Sequence, residues 1–257
     1  MSAGLGARGW RKLEADARSM AWARAARQAA RDVLADEEMQ ARWLRHGGTW
    51  FAGVDALPNG PDGAVGGAPL AGPWDGLIEP PARWHRAQLS VCHPGYPGRD
   101  AAESAAAHRF RRDRDAAHLD GLLPEGPDRR RHLREPHAFL LGIGLTEAAP
   151  GAAPFPTYVG AQEIVRAAFR GLFAGVPAGR WGDLDVTEGY QRARAEVFET
   201  CPRVELPLQP GEALVVHRLA IHGTAPWAPA ARAAEEGRAV AWFRPLTEDP
   251  ARWLDAP

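Results

Sequence analysis

The run Ala138-Phe-Leu-Leu-Gly-Ile-Gly-Leu145 is the longest apolar stretch of this chain, and it belongs to a series of short ones. Gln88 to His93, Phe139 to Leu145, Thr157 to Val159, Leu214 to Val216 and Ala239 to Phe243 are divided by turn residues such as Pro94-Gly-Tyr-Pro-Gly98. His108 to Asp115 alternates irregularly and reads with the same series. Short runs cut by turns predict an all-β sandwich or barrel core. Helices are added to it. Ala161 to Phe173 places Ile164, Ala168 and Leu172 on one face, and a second helix is expected from Asp185 to about Glu199, with Asp185 and Glu188 spaced as a capping box.

Ahead of this core, Trp10 to about Leu44 reads as helix broken near Ala35-Asp36, because Leu13, Ala17, Met20, Ala21 and Ala25 recur at helical spacing. Ala52 to Pro81 is rich in Gly and Pro, with turn signals at Pro58-Asn-Gly60 and Pro61-Asp-Gly63, and reads as a long surface loop or lid, or as short edge strands. The expected organisation of the 257 residues is a single domain. In it a helical segment over 1–50 packs on a β core at 87–245 with helical insertions at about 161–199.

A formal net charge of -1 gives no global field favouring nucleic acid or an anionic membrane. The longest apolar run is far short of a membrane span. The opening residues lack the apolar region of a secretory signal, so a cytoplasmic protein is expected. Cys92 and Cys201 are too few for a disulfide framework or a cysteine zinc site and read as free thiols.

Chemistry enters at His118-Leu119-Asp120. In an extended segment residues i and i+2 project from one face, so this imidazole and this carboxylate can bind one ion together. Two imidazoles and one carboxylate form the facial triad that holds non-haem Fe(II) and leaves positions open for an oxidant. Candidates for the second imidazole lie in His217-Arg-Leu-Ala-Ile-His222-Gly223-Thr224. His217 and His222 stand an odd number of residues apart and would face opposite sides of a regular strand, so one of them is expected to be a ligand. Spacing does not choose between them. Gly223 lets the backbone turn close to an ion.

Arg238 opens Arg-Ala-Val-Ala-Trp-Phe243 and shares a face with Val240 and Trp242. A guanidinium on such a wall is costly without a carboxylate partner. The distal carboxylate of 2-oxoglutarate would supply one through a bidentate contact. Arg232 and Arg244 are rival arginines, and Thr224 offers a hydroxyl. The arginines Arg109, Arg111, Arg112, Arg114, Arg129, Arg130, Arg131 and Arg134 flank the His-x-Asp. They read first as solvated faces balanced by Asp113, Asp115 and Asp128, and otherwise as contacts for an anionic substrate.

His118-Leu-Asp120, Phe139-Leu-Leu-Gly-Ile-Gly-Leu-Thr146, Thr157-Tyr-Val-Gly-Ala-Gln162, Gly211-Glu212, His217-Arg-Leu-Ala-Ile-His222-Gly-Thr224 and Gly237-Arg238 resemble, in order and type, the motifs of phytanoyl-CoA dioxygenase-like proteins. The resemblance spans about Ser90 to Pro245. It implies a double-stranded β-helix, the cupin-like jelly roll, with His118, Asp120 and His222 as the Fe(II) ligands. It puts Arg238, with Thr224, at the 2-oxoglutarate position and leaves His217 packed beside the site. Hydroxylation of a C–H bond in a small-molecule substrate by O2, with release of succinate and CO2, is the activity it implies. A carboxylate at 120 favours hydroxylation over halogenation. The chain departs from the pattern at Gly160-Ala161-Gln162, at Trp227, and in the stretch Ala228 to Glu236, which reads as an inserted helical turn. Competing readings are a jelly-roll metalloenzyme doing redox-neutral chemistry and a catalytically silent binding module.

Overall fold

The computed structural model describes residues 5–255. Strand β1 (Trp10–Leu13) leads to helix α1 (Ala17–Ala35). Asp16 starts α1: its carboxylate accepts from the Arg18 and Ser19 amides while the Ser19 hydroxyl accepts from the Asp16 amide. The helix stops at Asp36, which caps α2 (Glu37–Trp43) by accepting from the Glu38 and Met39 amides. Strands β2 (Leu44–Arg45), β3 (Trp50–Gly53) and β4 (Gln88–Cys92) follow, then α3 (Ala105–Asp113). The hairpin β5 (Leu122–Glu125) and β6 (Arg130–Leu133) precedes β7 (Leu140–Gly144) and β8 (Phe155–Tyr158). After α4 (Ala161–Leu172), a short 3-10 helix (Ala178–Asp183) and α5 (Thr187–Thr200) come β9 (Arg203–Leu206), β10 (Ala213–Val216), β11 (Arg238–Phe243) and α6 (Pro250–Asp255).

The fold is mainly β, a jelly roll with added helices. Its larger wall is a seven-stranded antiparallel sheet in the order β1-β10-β7-β11-β4-β3-β2. Side chains alternate across it. Leu141, Ile143, Val215, Ala239, Ala241 and Phe243 pack outward against Trp22, Ala23, Ala26 and Ala30 of α1. Leu140, Leu214, Val216, Val240 and Trp242 point inward. Burial on both faces is why β7, β10 and β11 read as unbroken apolar runs. The facing wall is shorter. In it β8 pairs with β9, and single bridges join Thr157 to His222 and His222 to His118. Phe155 and Leu206 from this wall meet the inward side chains of the sheet. Behind it, α4 and α5 bury Val165, Phe169, Tyr190 and Val197 against Leu119 and Ile221.

The helix expected from Trp10 begins only at Ala17, because Trp10 to Leu13 pair with Val216 to Ala213 and extend the sheet. Helix α3 occupies the stretch that reads as an irregular strand. None of its residues is buried, and Phe110 is its one large apolar side chain, so little in the sequence marks a face that packs. The Asp185/Glu188 capping box does not form. Helix α5 starts at Thr187, which puts Glu188 a residue too early to reach back, and Asp185 bonds the Thr187 amide and hydroxyl instead. Ala228 to Glu236 holds no helical turn; it is turn and single bridge, with Ala233 paired to Ala148. The Gly/Pro-rich stretch finishes β3 and then packs: Leu57, Val65 and Trp74 are buried, and Trp22 Nε1 donates to the Gly63 carbonyl at 2.9 Å. Both cysteines are free thiols.

Candidate metal centre

His118 lies in the link between α3 and β5, and His222 in the link between β10 and β11. Each donates its amide to the other's carbonyl, at 2.8 and 3.0 Å. Residues so paired on antiparallel strands project to one side, and the two rings stand 4.9 Å apart. Asp120, two residues beyond His118, turns to the same point. The Leu119 amide between them is fixed by the buried Tyr190 hydroxyl at 3.1 Å. Nε2 of His118 is 3.1 Å from Asp120 Oδ1, and Nε2 of His222 is 3.6 Å from Oδ2. One donor atom from each residue lies within 4.8 Å of the other two, the single such group of His, Cys, Asp or Glu among the described residues.

The hydrogen bonds fix which ring nitrogen is available. Nδ1 of His118 is 3.0 Å from the Ala116 carbonyl, and Nδ1 of His222 is 3.1 Å from the Ala220 carbonyl. A carbonyl only accepts, so each Nδ1 carries the proton and the lone pair of a neutral ring sits at Nε2, facing Asp120. Two lone pairs aimed at one carboxylate repel unless a proton or a cation lies between them. Adjacent donors around a metal at about 2.1 Å would stand roughly 3 Å apart, close to the spacing seen. The carbonyl-held Nδ1 is also the usual support of a ligating imidazole. Phe155 stacks on the His222 ring at 5.2 Å and 18°. Burial alone would push the Asp120 carboxyl up, whereas positive charge on His222 and His118, in the place a cation would take, would hold it well below the usual carboxylate range. The donor set fits a divalent cation.

A cavity of about 340 Å³ opens from this point. His118, Asp120, His222, Thr224, Arg238 and Arg244 all line it, with Trp50, Tyr96 and Trp242. Arg238 is 6% exposed. It reaches the Ala153 carbonyl and, at 3.4 Å, Cys92 Sγ, while its buried Nε has no partner. Among the described residues no carboxylate pairs with it, so a buried guanidinium faces the cavity uncompensated. Thr224 is half-buried and donates its amide to the Asp115 carbonyl at 3.1 Å. Of the rival arginines, Arg232 is exposed, and Arg244 Nη1 lies 3.5 Å from Asp120 Oδ2. His217 is away from the triad, with Nδ1 accepting from the Leu219 amide at 2.9 Å and Nε2 beside Arg166.

Sequence reasoning did not single out Trp50 and Tyr96, whose roles depend on β3 and the loop after β4 reaching one mouth. Phe155 was equally silent, since an apolar residue at a strand start carries no chemical label.

No protein-family model matches this chain, and no curated protein matches it in sequence. Solved structures resemble it in fold. The non-heme alpha ketoglutarate dependent carbocyclase SnoK from nogalamycin biosynthesis superposes with a TM-score of 0.51 at 12% identity, over 95% of this chain and 84% of SnoK. EctD from S. alaskensis in its apoform gives 0.48 at 16% identity, over 97% and 80% of the two chains. AviO1 from Streptomyces viridochromogenes Tue57 gives 0.47 at 14% identity, over 96% and 93%. The SnoK likeness establishes a shared fold.

Proposed function

We propose that this chain is an Fe(II)- and 2-oxoglutarate-dependent oxygenase that hydroxylates a C–H bond of a small molecule. One observation carries the reading: a set of two imidazoles and one carboxylate shares a cavity with a buried guanidinium that has no carboxylate of its own. A fold alone would not carry it. The motif likeness to phytanoyl-CoA dioxygenase-like proteins agrees with it.

His118, Asp120 and His222 would hold Fe(II), a set that leaves open positions. Arg238 would take the distal carboxylate of 2-oxoglutarate through its free donors, with Thr224 alongside. The metal and its co-substrate, when bound, supply an O2-derived oxidant strong enough to take hydrogen from an unactivated carbon, and succinate and CO2 leave. The protein's own part is positioning. The reciprocal bond between the 118 and 222 main chains fixes the angle between the imidazoles, and Phe155 stops the His222 ring from turning. Trp50, Tyr96 and Trp242 give the cavity beside Arg238 an aromatic wall.

Succinate release measured with Fe(II), 2-oxoglutarate and O2 tests the reading. It should need all three and vanish in a His118→Ala/Asp120→Ala variant. Turnover that survives the removal of O2 would instead mark redox-neutral metal chemistry.

A further inference from the structure

A second cavity, of about 300 Å³, shares Ala116, His118, Asp120 and Arg244 with the first. His118 and Asp120 therefore stand at a wall common to both, while His222 lines the first. Its other lining includes Arg131 from β6 and Arg194 from α5. Three guanidinium groups thus border one small space. The carboxylates there are Asp120, a proposed metal ligand, and Glu135, which lies 3.5 Å from His137 Nε2.

The remaining arginines near the His-x-Asp are accounted for. Arg111, Arg112, Arg130 and Arg134 pair with Glu103, Asp113, Asp185 and Glu125, and Arg109, Arg114 and Arg129 are exposed. Arg131 and Arg194 differ: both are half-buried, and among the described residues neither has a carboxylate partner. Arg131 donates to the Leu122 carbonyl at 2.8 Å. Arg194 lies over the rings of Phe110 at 4.9 Å and Tyr190 at 5.3 Å, which hold the guanidinium in place without neutralising it. Burial holds the Arg131 guanidinium below its ordinary basicity, and the nearby Arg129 and Arg194 add to that. Two fixed, unneutralised cations beside a reaction centre cost stability unless an anion visits them.

We infer that the substrate enters this second cavity and carries an oxyanion, a carboxylate or a phosphate or sulfate ester, that Arg131 and Arg194 grip while its reacting carbon faces the triad. The inference rests on the oxygenase reading above, because that reading makes His118 and Asp120 the reacting end of the cavity. Arg238 is left to the co-substrate.

The test uses three probes of similar shape: benzoate, phenyl phosphate and uncharged benzamide. Each is titrated by calorimetry at low ionic strength into anaerobic protein with Fe(II) and saturating 2-oxoglutarate, while the visible charge-transfer band is followed. At least one anion should bind about 10-fold or more tightly than benzamide and perturb the band. Benzoate ahead of phenyl phosphate points to a carboxylic acid substrate, and the reverse order to a phosphate or sulfate ester. Arg131→Gln and Arg194→Gln should each weaken that anion by about 10-fold. Arg194→Lys, which keeps the charge and much of the packing, should restore part of it, and Arg109→Gln should change nothing. Benzamide binding as tightly as both anions, or wild-type anion affinity in folded Arg131→Gln and Arg194→Gln proteins, overturns the inference. If no band forms, the oxygenase reading has failed, and the calorimetric comparison still decides whether these arginines select an oxyanion.

Discussion

Gly223 and Asp115 approach so closely that a β-carbon on Gly223 would stand 2.2 Å from the Asp115 carbonyl oxygen. The contact lets the chain after His222 pass directly beside the chain before His118. A Gly223→Ala substitution must push those two segments apart, and with them the reciprocal bond that aligns the imidazoles. Metal affinity should fall by about 10- to 100-fold, as for loss of an outer-shell partner, while the far-ultraviolet circular dichroism stays that of the parent. Metal titration of the two proteins checks this; unchanged affinity would mean that the bridge does not set the site.

Arg238→Met should weaken 2-oxoglutarate by about 30-fold or more, roughly 2 kcal/mol, since it removes one partner of a desolvated charge pair. Fe(II) affinity should be unchanged, because Arg238 is not among the grouped donors. Arg232→Met should alter neither. Calorimetric titration of the co-substrate into the three proteins distinguishes them. The opposite ranking, with Arg232 dominant, would move the anchor elsewhere.

Glu236 accepts from Arg27 of α1 at 3.1 and 3.0 Å and from Arg31, which ties the helix to the chain leading into Arg238. The Arg27 hydrogen bond comes first in holding its carboxyl down, to about 2 from an ordinary 4.5. A depressed carboxyl stabilises the fold above its unfolded value, and that stabilisation fades as pH falls through the folded one. Because Arg31 is half exposed, the contribution is about 1–2 kcal/mol at most. Denaturant unfolding of Glu236→Gln should show that deficit at pH 6, and the gap to wild type should close between about pH 4.5 and pH 2. A gap independent of pH would assign the effect to packing.

Trp22 is fully buried between α1 and the sheet, beside Phe243 at 5.7 Å between rings. Its removal leaves a cavity and strands the Gly63 carbonyl. Trp22→Ala should cost about 3–5 kcal/mol in denaturant unfolding. A cost below about 1 kcal/mol would mean that the Gly/Pro-rich cover collapses onto the gap.

Much of this was legible in the chain because the pattern and the chemistry coincide there. β7, β10 and β11 are apolar throughout, and only a strand buried on both faces needs that. His118 and Asp120 converge because alternate residues of an extended segment share a side. Arg238 was visible as a charge on the inward face that it shares with Val240 and Trp242. The losses have physical causes as well. β1 depends on a partner strand some two hundred residues away, and Trp10 with Leu13 also fits a helix turn. α3 has one large apolar side chain, Phe110, and no fully buried residue, so its nine residues do not stand out from an irregular strand. Arg194 sits at helical spacing between Tyr190 and Phe198, a charge inside an aromatic stripe, and that signal was there to be read. Which arginines near the His-x-Asp are neutralised was legible at Arg112, whose partner Asp113 is its neighbour, but Asp115 pairs with Arg203 instead, and Glu103, Glu125 and Asp185 come from segments that the fold brings near.

Anaerobic addition of Fe(II) and then 2-oxoglutarate to the purified protein shows whether His118, Asp120 and His222 hold iron with positions left open, because the chelate gives a visible charge-transfer band only on such a site. The band should rise in proportion to bound Fe(II) and be absent in His222→Ala and Asp120→Ala proteins. Folded, metal-loaded wild type that develops no band, or variants at 120 and 222 that develop it undiminished, would mean that His118, Asp120 and His222 do not form such a site.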